Sequence, residues 1–293
     1  MRLDDDGDRS NVEDRRGSGP GSLSMGGRGV KLGLGGTVVV LALSLIFGRD
    51  LFADLGASPA GAPATTPDPA ASPAQVDRRQ AAEKQLERTA VVSFNDAQRT
   101  WSTALARRQG GYPEAKLVLF WDQTRSGCGQ AGAEMGPFYC PADEKVYIDL
   151  GFYRELATRF GAPGEFAQAY VIAHEVGHHV QNVLGIEPTV RAAQRQDPSS
   201  RNSLSVKMEL QADCLAGVWA RSAQERQLLD PGDLEAGLRA AAAVGDDRLQ
   251  RSPTGHASPE SFTHGTSAQR SHWFRRGLES GRLDACDTFA AAP

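Results

Sequence analysis

Residues 171–179 read V-I-A-H-E-V-G-H-H. His174 and His178 stand four apart with Glu175 between them, so on a helix both imidazoles leave one face about one turn apart. This is the H-E-x-x-H arrangement, in which two histidines hold zinc and the glutamate handles the proton of an activated water. From Glu165 to Leu184, Phe166, Tyr170, Val171, Ala173, Val176 and Val180 supply an apolar surface at helical spacing, and Gly161, Pro163 and Gly164 mark its start. Gly177 weakens such a helix relative to alanine, which predicts that another backbone passes close by. The competing reading is a pair of helix histidines held by ordinary hydrogen bonds. His179 points about 100° away from His178 and reads as structural or solvated.

A second helix, Leu204–Ala220, carries the remaining candidates. Glu209 and Asp213 are again four apart, so both carboxylates face one way among Met208, Leu210, Ala212, Cys214 and Leu215. Carboxylates in that setting are costly unless a cation or hydrogen-bond donors satisfy them. Glu209 is read as the third zinc ligand of a His-His-Glu set with one ion and an open fourth position. Asp213 is read as the acceptor that orients a zinc histidine. Asp197, Glu187 and Asp230 are also acidic candidates, but none sits in an apolar helical frame.

The elements around these helices follow from pattern. Gln75–Arg108 reads as a helix with a break near Ser93 and Asn95. Lys116–Trp121 and Lys145–Leu150 read as strands, joined by a glycine-rich loop, and the segment around Tyr147 is the expected sheet edge for an extended peptide. Phe152–Phe160 reads as a short helix and Ile186–Asn202 as a polar loop or partly helical excursion. Asp230 reads as the cap of a helix with Pro231 at its first position, running to about Val244. His256 falls in a solvated loop. His264 precedes a helix capped by Thr266 or Ser267, and reads either as a group that closes on the substrate oxyanion or as a structural histidine.

The first hundred residues are different in composition. Residues 1–31 mix acidic and basic side chains with glycine and serine and read as a disordered tail. Residues 32–48 are uncharged and read as a transmembrane anchor at the short limit of length, with a buried core element or a cleaved signal-anchor near Ala57 or Ala60 as the alternatives. Arg28 and Lys31 before the segment favour a single-pass membrane protein with its N-terminus in the cytoplasm and its catalytic domain outside. Residues 49–74 form an alanine- and proline-rich linker, 75–288 the folded domain and 289–293 a C-terminal tail.

A formal charge of −4 and the lack of a basic stripe exclude nucleic acid as an expected partner. The four cysteines all follow the apolar stretch, and an even count suits an exported domain with two disulfides. Cys128 with Cys140 and Cys214 with Cys286 is the preferred pairing, the first closing the glycine-rich loop and the second tying the C-terminal end to the Glu209 helix. Free buried thiols are the alternative; zinc held by cysteine is disfavoured because no C-x-x-C knuckle occurs.

The runs H-E-V-G-H-H-V-Q (174–181), E-L-Q-A-D-C-L-A-G-V-W (209–219) and F-T-H-G-T-S-A-Q-R (262–270), with the Cys128–Cys140 and Tyr147–Asp149 stretches, resemble the bacterial neutral zinc metallopeptidase family of the YpfJ type. The resemblance covers about residues 75–288. It implies an α+β fold, a mostly helical zincin-like metalloprotease domain with a small β-sheet, and a membrane-anchored bacterial enzyme similar to the gluzincins in its E-x-x-x-D helix. It also implies zinc on His174, His178 and Glu209, general-base chemistry at Glu175 and ligand orientation by Asp213. The expected function is hydrolysis of a peptide or protein substrate by zinc-activated water. The rival classes are a zinc-stabilised extracytoplasmic binding or structural protein without turnover, and a zinc amidase acting on cell-wall peptide.

Overall fold

The computed structural model of the chain describes residues 1–2, 7–16, 73–254 and 258–290. The apolar stretch 32–48, most of the linker and His256 lie outside these residues. Among the described residues, no helix is long and apolar enough to cross a membrane.

A mixed four-stranded sheet carries one side of the molecule. Its strands are β1 (Val12–Asp14), β2 (Lys116–Phe120), β5 (Phe138–Cys140) and β6 (Lys145–Asp149), in the order β1-β2-β6-β5. β1 and β2 run parallel, as do β2 and β6, whereas β5 returns antiparallel beside β6. The glycine-rich loop is itself a hairpin of β3 (Gln123–Ser126) and β4 (Gly129–Gly132), and the Cys128–Cys140 disulfide joins its tip to β5.

This topology corrects two expectations. Tyr147 lies on an interior strand, fully buried between β2 and β5, and the open edge beyond it belongs to Phe138–Cys140. Strand order is a product of non-local pairing, which alternation within Lys145–Leu150 does not report. The disordered tail expected over residues 1–31 does not hold at 7–16, where Val12, Glu13 and Asp14 pair with Leu117, Val118 and Leu119. Backbone pairing and ion pairs hold that segment, neither of which a composition rich in charge reveals.

The helical layer consists of α1 (Pro73–Ala104), α2 (Gly151–Thr158), α3 (Glu165–Val183), α4 (Ile186–Gln196), α5 (Arg201–Glu225), α6 (Asp233–Ala243), α7 (Asp246–Thr254) and α8 (Ser267–Ser280). α1 passes unbroken through Ser93 and Asn95, because Ala90, Val91, Phe94, Ala97 and Trp101 bury one face and outweigh two weak local preferences. The polar excursion expected over 186–202 is mostly helix α4, which buries only Val190. Asp230 does not cap α6: Gly232 is the N-cap, and the Asp230 amide instead donates to the Asp233 carboxylate at 2.8 Å.

Close backbone approaches stack α3, α5 and α8. A Cβ built at Gly177 of α3 would sit 3.1 Å from the Ala212 carbonyl oxygen on α5, which is the neighbouring backbone that this glycine predicts. The α5–α8 crossing is tighter. A Cβ at Gly217 would lie 2.1 Å from the Phe274 carbonyl oxygen, and one at Gly277 would lie 1.9 Å from that of Cys214. Hydrogen takes the place of a side chain at all three positions, so the helices meet backbone to backbone. The Cys214–Cys286 disulfide fastens the segment after α8 onto α5.

Candidate metal centre

His174 and His178 project from α3 with ring centroids 4.8 Å apart and planes nearly perpendicular. Glu209 meets them from α5, held opposite by the Gly177–Ala212 approach. Its Oε2 lies 3.2 Å from His174 Nε2, and its Oε1 lies 3.4 Å from His178 Nε2. Zinc bonds of ~2.05 Å at tetrahedral angles separate ligand atoms by about 3.3 Å, so the donor types and these two spacings fit zinc. Among the described residues, these three form the group of His, Cys, Asp and Glu side chains able to share an ion, with donor atoms within 4.8 Å of one another.

Behind each imidazole a partner fixes the outer nitrogen. Asp213, fully buried, accepts from His174 Nδ1 at 3.0 Å, which leaves Nε2 directed at Glu209. Asp213 is in turn held by Arg270, whose Nε and Nη2 donate at 2.8 and 2.9 Å, and by the Tyr170 hydroxyl. Burial alone would raise the Asp213 carboxyl, but the Arg270 charge and the His174 bond hold it below the usual carboxylate range. His178 Nδ1 donates to Gln181 Oε1 at 2.8 Å. The amide of Gln181 donates to Met208 O and to Gln211 Oε1, and that of Gln211 donates to Cys286 O at 2.9 Å. A polar relay therefore runs from the disulfide-tied C-terminal end to the second histidine.

The charges at the centre are paired internally. Arg270 offsets Asp213 at contact distance but comes no nearer than 4.0 Å to Glu209. Burial opposes the Glu209 charge, yet the neighbouring His178 and His174 hold its carboxyl well below the ordinary value. Against burial, Asp213 and Glu209 in turn raise His174 to about 10, and Glu209 raises His178, so without an ion the carboxylate is balanced by protons that a divalent cation would displace on binding.

The three donors open into a cleft of about 570 Å³. Glu175 lines the same cleft at 7% exposure, and burial raises its carboxyl above the ordinary range despite the two histidines. One wall is the turn and strand from Met135 to Tyr139, where Met135 is half exposed; the other includes Val190, Arg191 and Met208. His264 enters from the far side. Its Nδ1 lies 3.1 Å from Asp246 Oδ1, while Asp246 Oδ2 accepts the backbone N–H groups of Thr263, His264 and Gly265 at 2.8, 2.6 and 3.1 Å. The side chain is 47% exposed, and desolvation by the cleft walls, which lowers the imidazole, is outweighed by the Asp246 bond and the Glu209 charge, which raise it.

His179 stands apart from this group. It is buried, with Nε2 at 2.7 Å from Pro113 O and Nδ1 at 3.0 Å from the Tyr139 hydroxyl, and it braces β5 against α3. The other acidic candidates are placed elsewhere: Asp197 caps a 3-10 turn, Asp230 pairs with Arg2, and Glu187 pairs with Arg191 at the cleft rim. Sequence pattern left Gln181, Gln211, Asp246 and Arg270 without roles and read Tyr170 only as part of an apolar face. Only Arg270 carried a usable signal, a cation at the buried end of the 262–270 run.

With this geometry in place, comparison with known proteins is direct. The family model described as "Putative neutral zinc metallopeptidase" matches residues 1–289. The chain belongs to this family. It is 46% identical to the uncharacterized protein YpfJ of Escherichia coli (strain K12) over 294 residues, covering 99% of both chains. It is 45% identical over 213 residues to an uncharacterized protein of Mycobacterium tuberculosis (strain H37Rv), covering 69% of this chain and 70% of that one. No solved structure matches. Family membership supports a zinc-dependent peptidase, and His174, His178 and Glu209 form a group that could hold a metal ion.

Proposed function

We propose that the protein is a metalloendopeptidase that hydrolyses extended polypeptide with one zinc ion held by His174, His178 and Glu209. The observation that carries the reading is the convergence of two imidazoles and a carboxylate, at 3.2 and 3.4 Å, on the floor of a cleft that Glu175 also lines. When bound there, zinc would supply Lewis-acid polarisation of the scissile carbonyl and acidify water.

The chain's own groups do the remaining work. Glu175 takes the proton of the attacking water and returns it to the leaving amine; a carboxyl raised by burial is suited to both directions of transfer. His264, protonated and held by Asp246, donates a hydrogen bond to the developing oxyanion. Asp213 and Gln181 keep the outer nitrogens of His174 and His178 occupied and so keep the inner ones aimed at the ion. Phe138 and Tyr139 on the open edge of β5 line the cleft, where main-chain pairing would hold a substrate extended beside Glu175. The two disulfides support residence in an oxidising compartment.

The test is metal-dependent cleavage of an unfolded protein by the full chain. Chelation should abolish cleavage and one equivalent of zinc should restore it. Stoichiometric zinc without cleavage of any unfolded protein or cell-wall peptide would favour the zinc-stabilised binding protein instead.

A further inference from the structure

The N-terminal arm is attached to the domain at widely separated points. The Arg2 amide donates to Leu228 O at 2.8 Å, and Asn95 on α1 donates to Asp8 O at 2.7 Å. At the strand ends, Leu117 N donates to Asn11 O and Arg15 N to Leu119 O, each at 2.8 Å. The Arg16 guanidinium spans Glu83 and Glu87 of α1 at 3.0 and 2.6 Å, and Glu13 meets Lys145 of β6 at 2.6 Å. β1 thereby covers the β2 edge, which would otherwise present unpaired backbone.

Such contacts require one compartment, because a hydrogen bond of ~3 Å cannot act across a hydrocarbon layer of ~30 Å. We infer that residues 7–16 and the domain over 73–254 and 258–290 lie on the same side of any membrane. An arm over 7–16 inside with the active site outside is incompatible with β1 in the sheet. The conclusion is the same if the arm comes from a second copy of the chain. The disulfides then assign both parts to the oxidising side. None of this depends on hydrolytic activity.

The experiment places a reporter cysteine in the full chain at exposed Ser10 or, separately, at exposed Arg275. Ser10→Cys and Arg275→Cys proteins in bacterial spheroplasts are treated with a membrane-impermeant maleimide before and after permeabilisation. The expected result is that the two sites react together, both before or both only after. One site reacting before and the other only after overturns the inference. Arg9→Cys and Arg282→Cys, both exposed, provide a second pair should a first variant fail to accumulate.

Discussion

Arg270 grips Asp213 through two buried hydrogen bonds, at 2.8 and 2.9 Å, directly behind the histidine that Asp213 orients. The pair links α8 to α5 and, through His174, to α3. Removing one partner of a buried pair leaves the other uncompensated, at a cost of about 3–5 kcal/mol. Arg270→Met should therefore lower stability by that order in urea denaturation, and more than Arg270→Lys, which keeps the charge but not the fork.

Gln181 and the metal should be separable from the fold. Gln181→Leu removes the acceptor at His178 Nδ1 and should weaken zinc binding about 10–100-fold. Competition against a chromophoric zinc chelator measures this. Unchanged affinity would mean that His178 needs no such partner.

Gly277 has no room for a methyl group, since its Cβ would lie 1.9 Å from the Cys214 carbonyl oxygen. Gly277→Ala must part α5 from α8, and overpacking of this kind costs about 1–3 kcal/mol or more. Thermal unfolding should show a clear loss, whereas Gly281→Asn, at a left-handed helix end facing only a flexible Arg221 side chain, should show little.

His264 and Asp246 set a pH window. The imidazole is raised above its ordinary 6.5, so its share of stability is full below that value and lost as pH rises through the higher folded value. Asp246 is lowered below 3.8, so its share is present above 3.8 and lost as pH falls through the lower folded value. The stability difference between the wild type and His264→Gln should be greatest between these two ordinary values. In activity, Asp246→Asn should move the alkaline limb of kcat/KM to lower pH, because the imidazolium loses its counter-charge. An unmoved limb would remove His264 from the proposed chemistry.

What the sequence made legible were features with their own period or spacing. His174 and His178 share a face by helical arithmetic, and Glu209 and Asp213 stand out as acids in an apolar helix, so the pieces of the site could be named before their contacts were known. The partners were not legible. Tyr170 reads as one more apolar-face aromatic, and Gln181 and Gln211 as ordinary helix polars, until α3 and α5 cross at Gly177. β1 escaped for a related reason: three residues, two of them acidic, carry no alternation to read, and Lys145, which Glu13 meets, and Glu87, which the adjacent Arg16 meets, lie far along the chain. The sheet edge at Phe138 rather than Tyr147 likewise depends on strand order, which local pattern does not contain.

The most direct measurement of the central claim is cleavage of an unfolded protein by the full zinc-loaded chain beside its Glu175→Gln counterpart, with zinc content determined in both. The amide is nearly isosteric, so metal binding and fold should persist while the proton acceptor is gone. Equal zinc, cleavage by the wild type and at least a hundredfold slower turnover by Glu175→Gln is the predicted result, since a positioned general base contributes about 10²–10⁴-fold. Equal rates with equal zinc would contradict the assignment of Glu175 and the mechanism built on it.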